Sequence, residues 1–157
     1  MPRDPIAESL LAAAIRQAAT DRPSAVGGAP DLAKAISGKA YRFGENALKV
    51  RTVALNFFES DSSWEVAVNT GRPNQPVQRF SGLMGLDGIY RKSPPAAYGI
   101  NAAKARWLNG HTLMLERRVL GHGETQTWTL AFDGDAVTVS FADTDGSRAE
   151  LRGQASD

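Results

Sequence analysis

Cysteine is absent from this chain of 157 residues, and only two histidines are present. The lack of cysteine excludes a disulfide framework and a thiolate catalyst. Positive and negative side chains nearly balance, with 18 Lys and Arg against 17 Asp and Glu. A nucleic-acid or anionic-membrane partner usually requires a clear basic excess, so we expect neither.

Long apolar runs are also missing. No run approaches the roughly 18–20 residues of a membrane-spanning helix. The N-terminus lacks the charged, then apolar, then small-residue order of an export signal. These absences predict a soluble protein without a membrane span, cytoplasmic by default or periplasmic if it derives from an exported parent.

Both histidines lie in one stretch, LNGHTLMLERRVLGHGE (Leu108 to Glu124), and each stands beside a glycine. The alternating side chains between them predict a strand with a turn at each end. At about 3.3 Å per residue, His111 and His122 are then roughly 30 Å apart. Since two ligands at that distance cannot share a metal ion, we predict no metal site and no cofactor.

The first part of the chain is predicted to differ from the rest. Residues 1–20 read as an amphipathic helix, with Asp4 as its N-cap and Pro5 at the first helical position. Residues 21–36 read as a linker with a short helical turn (DLAKAI), 37–152 as a β domain and 153–157 as a C-terminal tail. Because a helix of about 15 residues is marginal alone in water, its apolar face is expected to dock on a partner. That face, the predicted partner interface, consists of Ile6, Leu10, Leu11 and Ile15.

From Ala40 onward the sequence predicts about ten short strands separated by turn signals, with no helix-length segment between them. This pattern indicates the fold class: mainly β, an antiparallel up-and-down barrel with an N-terminal helix and a linker. Closure into a barrel is favoured because an open meander of this length leaves two exposed edges.

The alternation of apolar residues predicts how some strands pair. In WTLAF and VTVSF a common apolar face requires Phe132 opposite Val137, which leaves Asp133 to Ala136 as the turn. The same argument requires a turn of even length to place Leu113 and Leu115 on one face with Trp128 and Leu130. The hairpin before it requires an odd turn, for which a three-residue loop with Gly110 in the left-handed conformation fits best.

The three tryptophans are the candidate ligand-binding residues. Trp64, Trp107 and Trp128 would line a cavity if the barrel is hollow, since small barrels hold one small ligand or are filled by side chains. Large inward aromatic side chains favour the filled barrel.

Motifs of nucleophilic serine catalysis are missing. The sequence has no Gly-x-Ser-x-Gly, no Ser-x-x-Lys and no Lys-Thr-Gly. We therefore predict a noncatalytic chain, with no catalytic residue.

Several segments, taken in order, resemble a known family. After the linker come ISGKAYRF (Ile36 to Phe43), ENALKVRTVALNF (Glu45 to Phe57) and GLDGIYRK (Gly85 to Lys92), and later ARWLNGHTLMLERR (Ala105 to Arg118) and LAFDGDAVTV (Leu130 to Val139). Residues 30–152 resemble the C-terminal accessory domain that follows the catalytic domain in serine hydrolases of the β-lactamase and penicillin-binding-protein superfamily. The resemblance implies a lipocalin-like barrel that supports a hydrolase domain, in cis or in trans, by contacting it or shaping access to its active site.

Two other functions remain open. The same barrel permits a stand-alone, lipocalin-like carrier of a small apolar ligand, and a third possibility is an enzyme that uses Asp or Glu at the barrel mouth. Fold alone does not separate them, because barrels host many functions. Without a hydrolase partner, the N-terminal helix is expected to dock on the barrel or to drive self-association.

Overall fold

The structure is a computed structural model that describes residues 29–58 and 62–156. The described chain begins with one short helix, α1 (Asp31–Ile36), and continues as ten strands. The strands are β1 (Ala40–Phe43), β2 (Val50–Asn56), β3 (Ser62–Arg72), β4 (Gln75–Met84), β5 (Arg91–Lys92), β6 (Ile100–Asn109), β7 (Thr112–Leu120), β8 (Thr125–Asp133), β9 (Ala136–Asp143) and β10 (Arg148–Ser156). No helix in the described ranges is long and apolar enough to cross a membrane.

The strands form a single antiparallel sheet in the order β4-β3-β2-β1-β10-β9-β8-β7-β6-β5. Consecutive strands are neighbours in the sheet except β4 and β5, which lie at its two ends, and β1 also pairs with β10. The two ends of the sheet meet where Gly85, just after β4, exchanges hydrogen bonds with β6: Gly85 N donates to Ala103 O (3.2 Å), and Ala105 N donates to Gly85 O (2.8 Å). The result is a nearly closed barrel, which confirms the predicted antiparallel β-barrel; the helix predicted over residues 1–20 lies outside the described residues.

Gly85 is at this seam because no other residue fits. A Cβ atom built on Gly85 would lie 2.0 Å from the carbonyl oxygen of Ile89, a backbone atom. Beside it, Arg91 donates from Nη2 to Asp87 Oδ2 at 2.8 Å, and this hydrogen bond holds the pKa of the Asp87 carboxyl below its ordinary value. The seam therefore depends on one glycine and is flanked by one ion pair.

The predicted strand registers are confirmed. Phe132 lies opposite Val137, and Leu115 lies opposite Trp128. The turn between β8 and β9 is tighter than expected, however, because Asp133 and Ala136 form the last pair of their ladder and leave only two residues between them.

The turn between β6 and β7 also differs from the expected three-residue loop. Trp107 pairs with Leu113 as the parity argument requires, but the register then shifts so that Asn109 pairs with Thr112. The bulge supplies the odd residue, so Gly110 does not take the left-handed conformation predicted for it.

The β domain extends beyond its predicted end at residue 152. Strand β10 continues to Ser156 and pairs with β1 over its last residues, with Gly153 opposite Phe43 and Ala155 opposite Tyr41. Small residues carry little strand propensity, which is why the sequence suggested a tail from 153 onward. The pairing with β1 overrides that weak local preference.

One half of the barrel interior is filled by side chains. Tyr41 and Trp107 both contact Phe132, with ring centroids 5.5 and 6.4 Å apart, and Phe57 contacts Trp107 at 5.6 Å. Ile36, the last residue of α1, is buried in the same core. The helix lies beside the end of β2, where Ser37 Oγ accepts a hydrogen bond from the Phe57 amide (2.9 Å).

Candidate functional site

The other half of the barrel contains an apolar cavity of about 220 Å³. It lies at the end where β2 and β8 begin and where β7 and β9 approach their turns. Alternation along each strand points every second side chain inward, so six strands and the turn before β2 contribute to the wall. The lining residues are Leu48, Val50, Trp64, Val66, Val68, Phe80, Leu115, Arg117, Gln126, Trp128 and Phe141.

Two of the three predicted ligand-binding tryptophans line this cavity. Trp64 and Trp128 are both buried in its wall, and Trp128 meets Phe141 edge to face at a centroid distance of 5.0 Å. Trp107 does not line it, because it belongs to the filled half, where it contacts Phe57 and Phe132. The structure thus brings together Trp64 and Trp128 but not Trp107.

The expectation of a filled barrel is wrong for this half. The wall contains smaller side chains beside the aromatic ones, above all Val50, Val66 and Val68 on β2 and β3. In the filled half, by contrast, aromatic rings meet across the interior. The valines leave a space that Trp64 and Trp128 do not occupy.

Arg117 on β7 is the charged residue in the cavity wall. Its Nε donates to Asn101 Oδ1 and its Nη1 donates to Gln126 Oε1, both at 2.8 Å. The guanidinium also lies over the rings of Trp64 and Phe80, 5.2 and 5.4 Å from their centroids. Hydrogen bonds and cation–π contacts therefore fix its position on several sides.

Burial lowers the pKa of Arg117 from its ordinary value, and the negative charge of Asp143 acts in the opposite direction. An arginine remains protonated in proteins even so. Asp143 on β9 lies opposite Gln126 in the sheet, so the two side chains share the inner face at the barrel mouth. Asn101, which holds Arg117, is only 1% exposed.

The polar residues Asn101, Arg117 and Gln126 did not emerge from the sequence as site residues. They can be identified from whether their positions in the strand are odd or even, because side chains alternate between the two faces of a strand. Arg117 has the same parity as Leu113 and Leu115, so it must point inward if they do, while Arg118 must point outward. The structure shows this split, with Arg117 in the cavity wall and Arg118 over the ring of Tyr90 outside the wall.

The histidines lie where the sequence places them. His111 is in the turn between β6 and β7 and His122 in the turn between β7 and β8, both exposed and at opposite ends of β7. In residues 29–58 and 62–156, no group of three or more His, Cys, Asp or Glu is arranged to hold a metal ion. The predicted interface residues Ile6, Leu10, Leu11 and Ile15 lie outside the described residues.

Fold and cavity together define a small antiparallel β-barrel with one filled half and one hollow, apolar half. No family model and no curated protein matches the chain, so its resemblance to serine hydrolase accessory domains stays a prediction. Among solved structures, a crystal structure of a mutant of the fluorescent protein UnaG is similar to it. The two chains are 11% identical with a TM-score of 0.48, over 78% of this chain and 97% of that chain.

Proposed function

We propose that this domain binds a small apolar ligand in the hollow half of its barrel. The observation that carries the proposal is the cavity of about 220 Å³, whose wall is aromatic and aliphatic apart from Arg117 and Gln126. Apolar surface removed from water is the main driving force for such binding. A few fixed polar groups in an otherwise apolar pocket are typical of ligand sites.

The cavity volume limits the size of the ligand. An apolar cavity of about 150 Å³ in another protein holds benzene, whereas sites for drug-sized ligands have about 300–1,000 Å³. A volume between these values fits a single ring with a substituent or a medium-length alkyl chain. We take 1-octanol as the neutral probe.

The first test fills the cavity from within. Val68 lines the cavity from β3, so Val68→Trp places an indole ring in the space that the ligand needs. We expect the affinity for 1-octanol, measured by isothermal titration calorimetry, to fall by about tenfold or more, because overfilled interiors admit no further groups.

Thr129→Trp is the matched control. Thr129 lies on β8 between the inward Trp128 and Leu130, so its side chain points out of the barrel. This variant adds the same ring outside and should bind 1-octanol like the parent. Equal binding by all three proteins would mean that the cavity is not the site.

The accessory role that the sequence predicts is a separate hypothesis. Its contact surface is the apolar face of the N-terminal segment, and the cavity is not needed for it. Substituting Leu10 and Ile15 by Asp tests that role alone, through loss of hydrolase binding or of self-association.

A further inference from the structure

We infer that the ligand of the cavity carries a single carboxylate, which binds to Arg117. This inference rests on the proposed function, since it names the chemical class of the molecule that the cavity takes. The observation behind it is the charge of Arg117 in the cavity wall, which is independent of the cavity volume.

Arg117 has hydrogen-bond donors that no group in the described part of the chain uses. A guanidinium presents five N–H donors, and the described hydrogen bonds use one on Nε and one on Nη1. Both acceptors, Asn101 and Gln126, are neutral amides. Nη2 makes no hydrogen bond to any described side chain or carbonyl, so it is available to a ligand.

Arg117 also forms no salt bridge within the described part of the chain, although the carboxylate of Asp143 is near enough to act on its pKa. The ion pairs found there involve other cations, namely Lys39, Arg79, Arg91, Arg118 and Arg152. A cation withdrawn from water without an ionic partner is unfavourable unless other groups stabilise it. Two amides and two aromatic rings stabilise the Arg117 guanidinium in part. A ligand anion would supply the missing ionic partner.

The geometry favours a carboxylate over larger anions. The planar guanidinium matches a carboxylate through two parallel hydrogen bonds. One cation neutralises one negative charge, and Asp143 already faces the same mouth from β9. A dianion such as a phosphate monoester would therefore bring uncompensated charge into an apolar cavity, where charge is poorly solvated.

The arginine is held in place before a ligand arrives. Asn101 fixes Nε from β6, Gln126 fixes Nη1 from β8, and the rings of Trp64 and Phe80 cover the guanidinium. Because little side-chain freedom is lost on binding, the preorganised donors favour affinity. A medium-chain fatty acid, with its alkyl chain among the valines and its head group at Arg117, fits this arrangement.

The test compares octanoate with 1-octanol, which share a chain length and differ in the head group. Isothermal titration calorimetry on the unmodified protein at neutral pH should give an affinity for octanoate about tenfold or more above that for 1-octanol, because charge-assisted hydrogen bonds are about twice as strong as neutral ones. Arg117→Met should abolish this preference, because it should lower the affinity for octanoate far more than the affinity for 1-octanol.

Arg118→Met is the matched control, since it removes the same charge from the next residue on the outer face. It should preserve the preference for octanoate. Asp143→Asn should increase the affinity for octanoate by about two- to tenfold, because it removes a like charge from the mouth, and should leave 1-octanol unchanged.

The outcomes separate the two proposals. If the unmodified protein binds 1-octanol as tightly as octanoate or more tightly, the carboxylate inference is wrong and the apolar ligand proposal stands. A preference that persists in Arg117→Met also overturns the inference. If the folded, unmodified protein binds neither probe, the proposed function itself fails. The affinity ratio in the unmodified protein decides the inference even if Arg117→Met does not fold.

Discussion

At the residue scale, the site joins two buried tryptophans, Trp64 and Trp128, to one arginine, Arg117, held by two amides. The tryptophans could be named from the sequence because large aromatic side chains in alternating strands point inward. Arg117 and its amide partners could not be named in the same way, because polar residues in strands usually face water. Only their parity with the buried apolar residues of their strands indicates that they point inward.

The two halves of the barrel should respond differently to the same substitution. Leu130 is in the filled half and Leu115 lines the cavity, and the two side chains are similarly buried. Leu130→Ala leaves a new void among close neighbours and should reduce the free energy of unfolding by about 4–5 kcal/mol, whereas Leu115→Ala enlarges an existing space and should cost about 2–3 kcal/mol.

Chemical denaturation of both variants beside the parent measures these values. The two variants are matched, because the same substitution of leucine by alanine is made in each half of the barrel. Equal losses, or a larger loss for Leu115→Ala, would mean that the barrel is filled evenly.

At the element scale, the sequence predicts the local pairing of the hairpins and a closed barrel, but not the residues at which the barrel closes. The registers of the hairpins follow from alternation and from turn length, because a slip of one residue would turn an apolar face outward. The bridge between Gly85 and β6 joins two segments that do not form a hairpin, because β5 lies between them in the chain, so neither alternation nor a turn pattern indicates it. The extension of β10 beyond residue 152 is likewise not indicated by a local pattern, because its partner β1 lies near the other end of the described chain.

Gly85→Ala tests the seam. The added Cβ would overlap the carbonyl oxygen of Ile89, which is backbone and cannot rotate away. We expect the free energy of unfolding to fall by about 1–3 kcal/mol, with faster amide hydrogen exchange at Ala105, whose N–H donates to Gly85.

Gly110→Ala serves as the control for the seam, because a Cβ there meets nothing within 4 Å and the residue does not have a positive φ. It should leave both stability and exchange at Ala105 close to those of the parent. A seam that tolerates Gly85→Ala equally well would show that the sheet ends do not depend on this contact.

At the scale of the whole molecule, the proposed function depends on the division of the barrel into a filled and a hollow half. Composition and periodicity do not predict that division, because it depends on which inward side chains meet across the barrel. Valines from β2 and β3 lie among the aromatic residues at one end, and aromatic rings meet each other at the opposite end. The sequence thus predicts the barrel and its wall, and the interior space requires the three-dimensional arrangement.

The most direct measurement of the central claim is a titration of the methyl-labelled protein with 1-octanol, followed by NMR. The account predicts shifts concentrated on methyl groups of the cavity wall, such as those of Val66, Val68 and Leu115, with little change at Val137, Val139 and Leu130 in the filled half. Shifts spread evenly over both halves, or no shifts up to the solubility limit of the probe, would contradict the claim that the hollow half of the barrel is a ligand site.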